Sequence, residues 1–335
     1  MAGLRFTSDS DPGIRRLRTR NGFRYVDANG SPVHDAPTLT RIRALAIPPA
    51  WTQVWICPIT NGHMQATGRD ARGRKQYRYH PAWHTYRDAI KFRHLADFAR
   101  ALPGIHDQID RDLRRHDLPR EKVIALVIAL LEQTLIRIGN DAYARTNHSY
   151  GLTTMQIRHV IIDKSALHFL FVGKSGREHR VDLRDRHLVR IVGRCHDLPG
   201  QRLFLYEGDD GLCHPIGSSD INTWLAEATG QQITAKEFRT WAATVHAAAL
   251  LRQLPVPESE TIANHVIVTV VDAVAELLGN TRAVARSSYI HPAILEAYRS
   301  GELQAIRPRA LRAVRFAELN DDERVVLHIL EQATA

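Results

Sequence analysis

Cysteine is scarce in this chain and no apolar run is long, and each shortage argues against a class of protein. The three cysteines among 335 residues, Cys57, Cys195 and Cys213, cannot pair without leaving one over, and their spacings match no zinc motif. A disulfide-stapled secreted scaffold is therefore not expected, and a reducing compartment is. Met1-Ala2-Gly3-Leu4-Arg5-Phe6 lacks the apolar core of a signal peptide. The longest uninterrupted apolar run, Val123 to Leu131, is far too short to span a bilayer. The expectation is a soluble, cytoplasmic protein with no membrane partner. Internal repeats, low-complexity tracts and clusters of metal ligands are also missing, so no metal or other cofactor is expected.

What is present is ordinary in amount and unusual in sign. Hydrophobic residues at 44% and charged residues at 24% fall in the globular range. The length exceeds a typical single core, which favours two domains. Lys and Arg number 45 against 36 Asp and Glu, a formal charge of +9. A basic surface attracts polyanions, nucleic acid above all. It also simply confers solubility, and charge alone does not separate the two.

Along the chain, Phe23 to Asp27 and Pro32-Val33 flank Asn29-Gly30, a hairpin signal, and Trp51 to Ile56 reads as another strand. A polar stretch from Gly68 to Tyr79 follows, with a domain boundary set just beyond it. From Trp83 onward the pattern is helical: Ile90, Leu95, Phe98 and Leu102 lie near helical spacing, then Val123 to Ile138 closes at Gly139-Asn140. Three strands interrupt the helices, at His159 to Ile162, Leu167 to Val172 and Glu178 to Leu183, the last two joined by Gly173-Lys174-Ser175-Gly176-Arg177. Thr234-Ala235-Lys236-Glu237 is a capping box, and a further helix runs from about Ser259 to Leu278 and stops at Gly279. Asn320 to Ala335 reads as one amphipathic helix. The fold class is α+β: a small β-rich domain over residues 1–87, and a larger mainly α domain over 88–335 carrying a short three-stranded antiparallel sheet.

Six positions could carry chemistry, and each has a plainer reading. Arg137, in Thr-Leu-Ile-Arg-Ile-Gly-Asn, would complement the dipole at the end of the apolar helix. Lys174 could be a solvated turn residue between Gly173 and Gly176, or a general acid where neighbouring cations destabilise its charge. Arg239 and Lys236 could be a solvated basic face. Yet Phe238 and Trp241 anchor that helix, giving Arg239 a defined direction and its planar fork two phosphate oxygens to grip. Asn280 is helix punctuation or an amide donor to phosphate, and Thr281 could cap the next helix. Tyr289, close behind Arg282 and Arg286, is a part-buried tyrosine or a nucleophile. A phenol with a reference pKa near 10 attacks phosphorus at neutral pH only where cations and amide donors stabilise the developing charge.

None of these is persuasive alone, but their joint order is. Arg137 in Ile-Arg-Ile-Gly-Asn, Lys174 in Phe-Val-Gly-Lys-Ser-Gly, Arg239 in Lys-Glu-Phe-Arg-Thr-Trp, and Asn280 nine residues before Tyr289 resemble the active-site set of type IB DNA topoisomerases, in the compact poxvirus-like branch found in bacteria. Ile-Pro-Pro-Ala-Trp, Gly-Arg-Lys-Gln-Tyr-Arg-Tyr and Tyr150-Gly151-Leu152-Thr153-Thr154 extend the resemblance over nearly the whole chain.

The resemblance implies the tyrosine recombinase/topoisomerase IB catalytic fold and a division of labour. Tyr289 would attack the scissile phosphodiester to give a 3′-phosphotyrosyl link and a free 5′-hydroxyl, so that resealing needs neither ATP nor metal. Arg137, Arg239 and Asn280 would hold the nonbridging oxygens, and Lys174 would protonate the departing 5′-oxygen. The smaller domain would be a clamp on double-stranded DNA, with Gln76, Tyr77 and Tyr79 touching it and Arg69, Arg72, Arg74 and Lys75 on phosphates. Tyr143 and Lys236 would add DNA contacts in the larger domain. The expected enzyme is a monomer acting in the nucleoid. Many relatives carry histidine where this chain has Asn280, and Ser287-Ser288 lacks a basic residue expected of close bacterial relatives. A tyrosine recombinase, which typically shows His-x-x-Arg where this chain has Lys236-Glu237-Phe238-Arg239, is the nearest rival. A basic DNA-binding protein with an inert tyrosine is the other.

Overall fold

The structure is a computed structural model, and it describes residues 3–83, 92, 94–311 and 318–334. The chain divides into two compact units, Met1–Phe92 and Arg93–Ala335. The boundary expected between residues 87 and 88 lies outside the described residues, as do Ile90 and Ala335.

The first unit is built on an antiparallel sheet of β1 (Ile14–Thr19), β2 (Gly22–Val26), β3 (Thr52–Ile56), β4 (Met64–Arg69) and β5 (Lys75–Tyr79), in the order β2-β1-β3-β4-β5. Its core is Ile14, Ile42, Val54, Ile56 and Ala66, with Trp51, Ile47 and Tyr25 packed against them. Ile42 comes from α1 (Ala36–Ala44), which Asp35 caps by accepting from the Thr38 amide at 2.9 Å.

The hairpin reading across Asn29-Gly30 needs correction. β1, with four polar residues in six, gave no strand signal; it forms because its neighbours use it. Arg16 lies over the Phe23 ring at 4.2 Å and donates to the carbonyls of Ile47, Pro48 and Trp51, so the Ile-Pro-Pro-Ala-Trp turn is tied to β1 by one guanidinium. The hairpin partner of β2 is therefore β1, while the Asn29-Gly30 turn closes only an isolated bridge between Val26 and Pro32. The polar stretch Gly68 to Tyr79 is structured. It includes the β4–β5 hairpin, whose turn is organised by Asp70 accepting from the Arg72 and Arg74 amides.

The second unit surrounds one buried helix. α2 (Leu95–Leu113) is followed by α3 (Arg120–Thr134), in which every residue from Lys122 to Leu131 is buried. A helix apolar all round must be enclosed, and α3 packs against α2, strand β8 (Glu178–Leu183), α5 (Arg186–His196), β9 (Leu205–Glu207), α6 (Ser218–Thr229) and α7 (Ala235–Arg252). Between α3 and β8 lie α4 (Asp141–Asn147), β6 (Val160–Ile162) and β7 (Leu167–Val172), and β6-β7-β8 form the antiparallel sheet that was expected. β9 pairs with β10 (Cys213–Pro215), a small hairpin with no sequence signal.

The remaining helices are α8 (Glu260–Leu278), α9 (Arg282–Ser288), α10 (Pro292–Arg299), α11 (Glu302–Ala305) and α12 (Asp321–Thr334). The α8 ends fall where the sequence put them: Ser259 caps the start, and Gly279 at φ +60° ends it. Among the described residues α8 alone is long and apolar enough to cross a membrane by length and composition, although its apolar residues form no long uninterrupted run. Its Ala263, Ile267, Val270, Val271, Val274, Ala275 and Leu278 are buried.

Candidate active site

The apolar helix does not extend to Arg137. α3 ends at Thr134, because Leu135 takes a left-handed turn at φ +53° while the Thr134 hydroxyl bonds back to the Leu130 carbonyl. Arg137 is thus on an extended segment rather than in a helical last turn, which corrects the dipole reading. That segment is held by Tyr150-Gly151-Leu152-Thr153-Thr154. The amides of Leu152 and Thr153 donate to the carbonyls of Arg137 and Ile138 at 2.9 and 2.7 Å, and the Thr153 hydroxyl adds a bond to Ile138. Gly151 must be glycine, since a Cβ there would lie 2.4 Å from the Arg137 carbonyl oxygen.

Lys174 occupies the β7–β8 turn. The Gly173 amide donates to the Arg177 carbonyl at 2.7 Å, and the positive φ values fall at Ser175 and Gly176. Gly173 itself has an ordinary backbone, so its glycine serves a different need: a Cβ would lie 2.6 Å from the His179 ring.

Arg239 is on α7, opened by the expected Thr234–Glu237 capping box. Phe238 and Trp241 are buried beside it, and Phe238 meets Phe98 edge-on at 4.9 Å. Arg239 is only 4% exposed, so it is no solvated basic face, whereas Lys236 is exposed. One Arg239 nitrogen, Nη2, donates to the Leu278 carbonyl at 2.9 Å; Nε is buried and has no partner.

Asn280 follows from the way α8 stops. The Gly279 amide reaches the Glu276 carbonyl and the Asn280 amide the Ala275 carbonyl at 2.8 Å, a Schellman arrangement that fixes the direction of the next side chain. Asn280 Oδ1 accepts from Arg137 Nη2, and the Arg177 guanidinium donates to its carbonyl at 3.2 Å. Its Nδ2, like Arg239 Nε, is buried without a partner. Thr281 then caps α9 as expected, and Tyr289 ends that helix. The Tyr289 backbone is pinned by the buried Thr244 hydroxyl, which donates to its carbonyl at 3.1 Å.

These side chains converge. A cleft of about 300 Å³ is lined by Arg137, Tyr143, Lys174, Lys236, Arg239 and Tyr289, among others, and Asn280 joins it through Arg137. A smaller cavity of about 40 Å³ shares Arg137, Tyr150, Lys174 and Arg239 and adds His179. The Arg239 guanidinium carbon sits 5.5 Å from the centre of the Tyr289 ring. Burial pulls Arg239 well below the usual guanidinium range, to about 10, with Arg137 adding to the descent and the phenol opposing it. Burial alone would raise the Tyr289 phenol, but the charges of Arg239, Arg137 and Lys236 outweigh it and bring the group below its usual 10.

Three residues beside these side chains were not singled out from the sequence. Arg177 and Tyr150 were seen only as parts of longer motifs, and His179 was not singled out. Arg177 and His179 meet the Asn280 segment about a hundred residues away, which no local pattern marks.

The residues Arg69, Arg72, Arg74, Lys75, Gln76, Tyr77 and Tyr79 lie on or beside the β4–β5 hairpin of the other unit. Tyr77 and Tyr79 stack at 5.9 Å with nearly parallel rings. Most of the cations there already have internal partners. Lys75 pairs with Asp9 at 2.6 Å, Arg74 with Asp70 at 2.7 Å, and Arg69 donates to Gln53 and the Gly73 carbonyl. Gln76 donates to Asp70, whose hydrogen bond from Arg74 leads the causes that hold its carboxyl at about 2. Arg72 is exposed.

The description "Eukaryotic DNA topoisomerase I, catalytic core" matches residues 80–312, and "Bacterial DNA topoisomerase IB, N-terminal domain" matches residues 22–70. DNA topoisomerase 1B of Acanthamoeba polyphaga mimivirus is 30% identical over 296 residues, covering 86% of this chain and 88% of its own. DNA topoisomerase 1B of vaccinia virus (strain Copenhagen) is 22% identical over 294 residues, with coverages of 84% and 90%. DNA topoisomerase 1 of rabbit fibroma virus (strain Kasza) is 22% identical over 301 residues, with 84% and 89%.

Proposed function

The chain belongs to the type IB DNA topoisomerases, and we propose that Tyr289 is its nucleophile, Lys174 its leaving-group acid, and Arg137, Arg239 and Asn280 its phosphate-binding donors. The enzyme relaxes supercoiled duplex DNA by cutting and rejoining one strand. In the proposed step the Tyr289 oxygen bonds to the scissile phosphorus as the bond to O5′ breaks. The phenol's proton passes to solvent in the cleft, O5′ takes one from the Lys174 ammonium, and the neutral Lys174 amine takes O5′'s proton back when the strand reseals. The products are a 3′-phosphotyrosyl link and a 5′-hydroxyl, and reversal reseals the strand with no net consumption of bond energy.

One observation carries this reading: two buried donors, Arg239 Nε and Asn280 Nδ2, have no hydrogen-bond acceptor among the described residues, and both belong to the group of residues gathered at the Tyr289 cleft. A buried donor left unpaired costs about 1–3 kcal/mol. A site that carries two of them is set up for an anion that supplies acceptors, and a pentacoordinate phosphorane has nonbridging oxygens to offer. Arg137 holding Asn280 by its oxygen turns the amide donor outward from that bond.

Tyr143 and Lys236, on the lip of the same cleft, would hold the flanking DNA. The β4–β5 hairpin, with Arg69, Arg72, Arg74, Lys75, Gln76, Tyr77 and Tyr79, would be the clamp surface, its cations exchanging internal carboxylates for phosphates. On this reading residues 1–87 and 88–335 are the functional division, and the enzyme works as a monomer on nucleoid DNA without a membrane partner.

The test is relaxation of a negatively supercoiled plasmid in chelator without ATP, with denaturant quenching to trap protein joined to DNA. The expected result is a ladder of relaxed topoisomers and a covalent complex, both lost in Tyr289→Phe. Relaxation by Tyr289→Phe at an undiminished rate would overturn the assignment.

A further inference from the structure

His179 takes no part in the steps above, yet its ring touches the backbone immediately ahead of two residues that do. It is half-buried on β8, opposite Phe171 in the strand register, and stacks on that ring at 5.1 Å with planes 10° apart. A Cβ built on Gly173 would lie 2.6 Å from its Cδ2 and 2.7 Å from its Nε2. A Cβ built on Gly279 would lie 2.6 Å from its Cε1. Real side chains do not approach that closely, so two glycines on separate elements leave room for one imidazole. Gly173 precedes Lys174, and Gly279 precedes Asn280. The ring also borders the small cavity that Arg137, Lys174 and Arg239 line.

From this contact pattern we infer that His179 is a positioning residue for the leaving-group acid: wedged between Gly173 and Gly279, it fixes the Lys174 turn relative to the Asn280 segment. The turn needs such a support. Its tip is a single tight bend with Ser175 and Gly176 at positive φ, and Lys174 itself is exposed. Arg177 also ties the turn to the segment, donating to the Asn280 carbonyl at 3.2 Å. Burial, together with the charges of Arg137, Arg239 and Arg177, keeps the imidazole below its ordinary 6.5. The wedge is therefore neutral at cellular pH and acts by shape and stacking.

The inference rests on Lys174 as the acid, and one substrate pair tests both separately. On a duplex cut at a mapped site, the bridging 5′-oxygen is replaced by sulfur. A thiolate departs without protonation, so a defect that arises from the acid disappears on the sulfur duplex, while damage to the phosphate grip or to the fold persists. Single-turnover cleavage is measured for the full-length enzyme, His179→Ala, His179→Phe and Lys174→Ala. Misplacing a reacting group by about 1 Å costs up to about 100-fold. The expected result is a roughly 10- to 100-fold loss for His179→Ala on the oxygen duplex, shrinking to within about threefold of wild type on sulfur. His179→Phe, which keeps a flat ring, should recover most of the oxygen rate. Equal losses of His179→Ala on both duplexes, or no loss on either, overturn the positioning role while leaving Lys174 as the acid if Lys174→Ala recovers on sulfur. Failure of Lys174→Ala to recover overturns the assignment of the acid and the inference with it.

Discussion

Replacing Arg239 by methionine should separate catalysis from stability, because the fold treats this arginine as a burden and the proposed reaction uses it as an asset. Its guanidinium carbon lies 5.5 Å from the Tyr289 ring centre. With an effective dielectric of about 20, a cation at that distance stabilises a phenolate by roughly 3 kcal/mol. Losing it alone slows attack by roughly 100-fold. Arg239 Nε, buried and unpaired, is also free to meet a nonbridging oxygen, and removing one such donor costs about 100- to 1000-fold. Both effects come from one group and do not multiply. The expected loss in single-turnover cleavage is about 1000-fold.

The stability side points the other way. The drop of the guanidinium from 12.5 to about 10, led by burial, corresponds to roughly 3 kcal/mol for carrying its charge in the folded protein. Methionine fills the same slot without that cost. It gives up the bond to the Leu278 carbonyl, a loss of about 1–3 kcal/mol. The two nearly cancel, so the melting temperature of Arg239→Met should stay within a few degrees of wild type or rise. The rate is read from denaturant-quenched covalent complex on a duplex that cannot religate, and stability from thermal melting. A folded Arg239→Met enzyme that cleaves within tenfold of wild type would refute the reasoning, and so would a melting temperature that collapses with the rate.

Further predictions follow from the same contacts. Since Arg239 and Arg137 outweigh burial and favour the charged phenol, cleavage should climb with rising pH along a limb centred below 10, and that limb should shift upward in Arg239→Met; an unmoved limb counts against Tyr289 as its source. Gly279→Ala puts a Cβ 2.6 Å from His179 at φ +60°, which should destabilise the fold by about 1–3 kcal/mol in denaturant titration; an unchanged midpoint would contradict the close contact. Asp9→Asn releases Lys75 from its 2.6 Å ion pair, so DNA binding at low salt should tighten a few-fold and its logarithmic salt slope steepen by about one counterion. A slope equal to wild type would show that Lys75 does not reach phosphate.

How much of this was legible in the sequence depends on how far apart the interacting residues lie along the chain. Signals made within a few residues read through: the Thr234–Glu237 box, Ser259 and Gly279 bracketing α8, and Thr281 capping α9. Leu135 did not, because nothing about leucine announces a left-handed bend, and so Arg137 seemed to end a helix that stops three residues earlier. β1 was hidden for the opposite reason, since its polar Arg16 is satisfied by carbonyls more than thirty positions away. The order of Arg137, Lys174, Arg239, Asn280 and Tyr289 could be read as a set, but what joins them could not. Arg137 meets Asn280 across 143 positions, and Arg239 meets Leu278 across 39. His179 is the limiting case. Its own neighbours in sequence suggest only an alternating strand, and its place becomes meaningful when Gly173 and Gly279 are seen to have given up their side chains to the same ring. A glycine read alone signals backbone freedom. Two glycines facing one imidazole signal a wedge, and that inference is available only once the chain has brought them together.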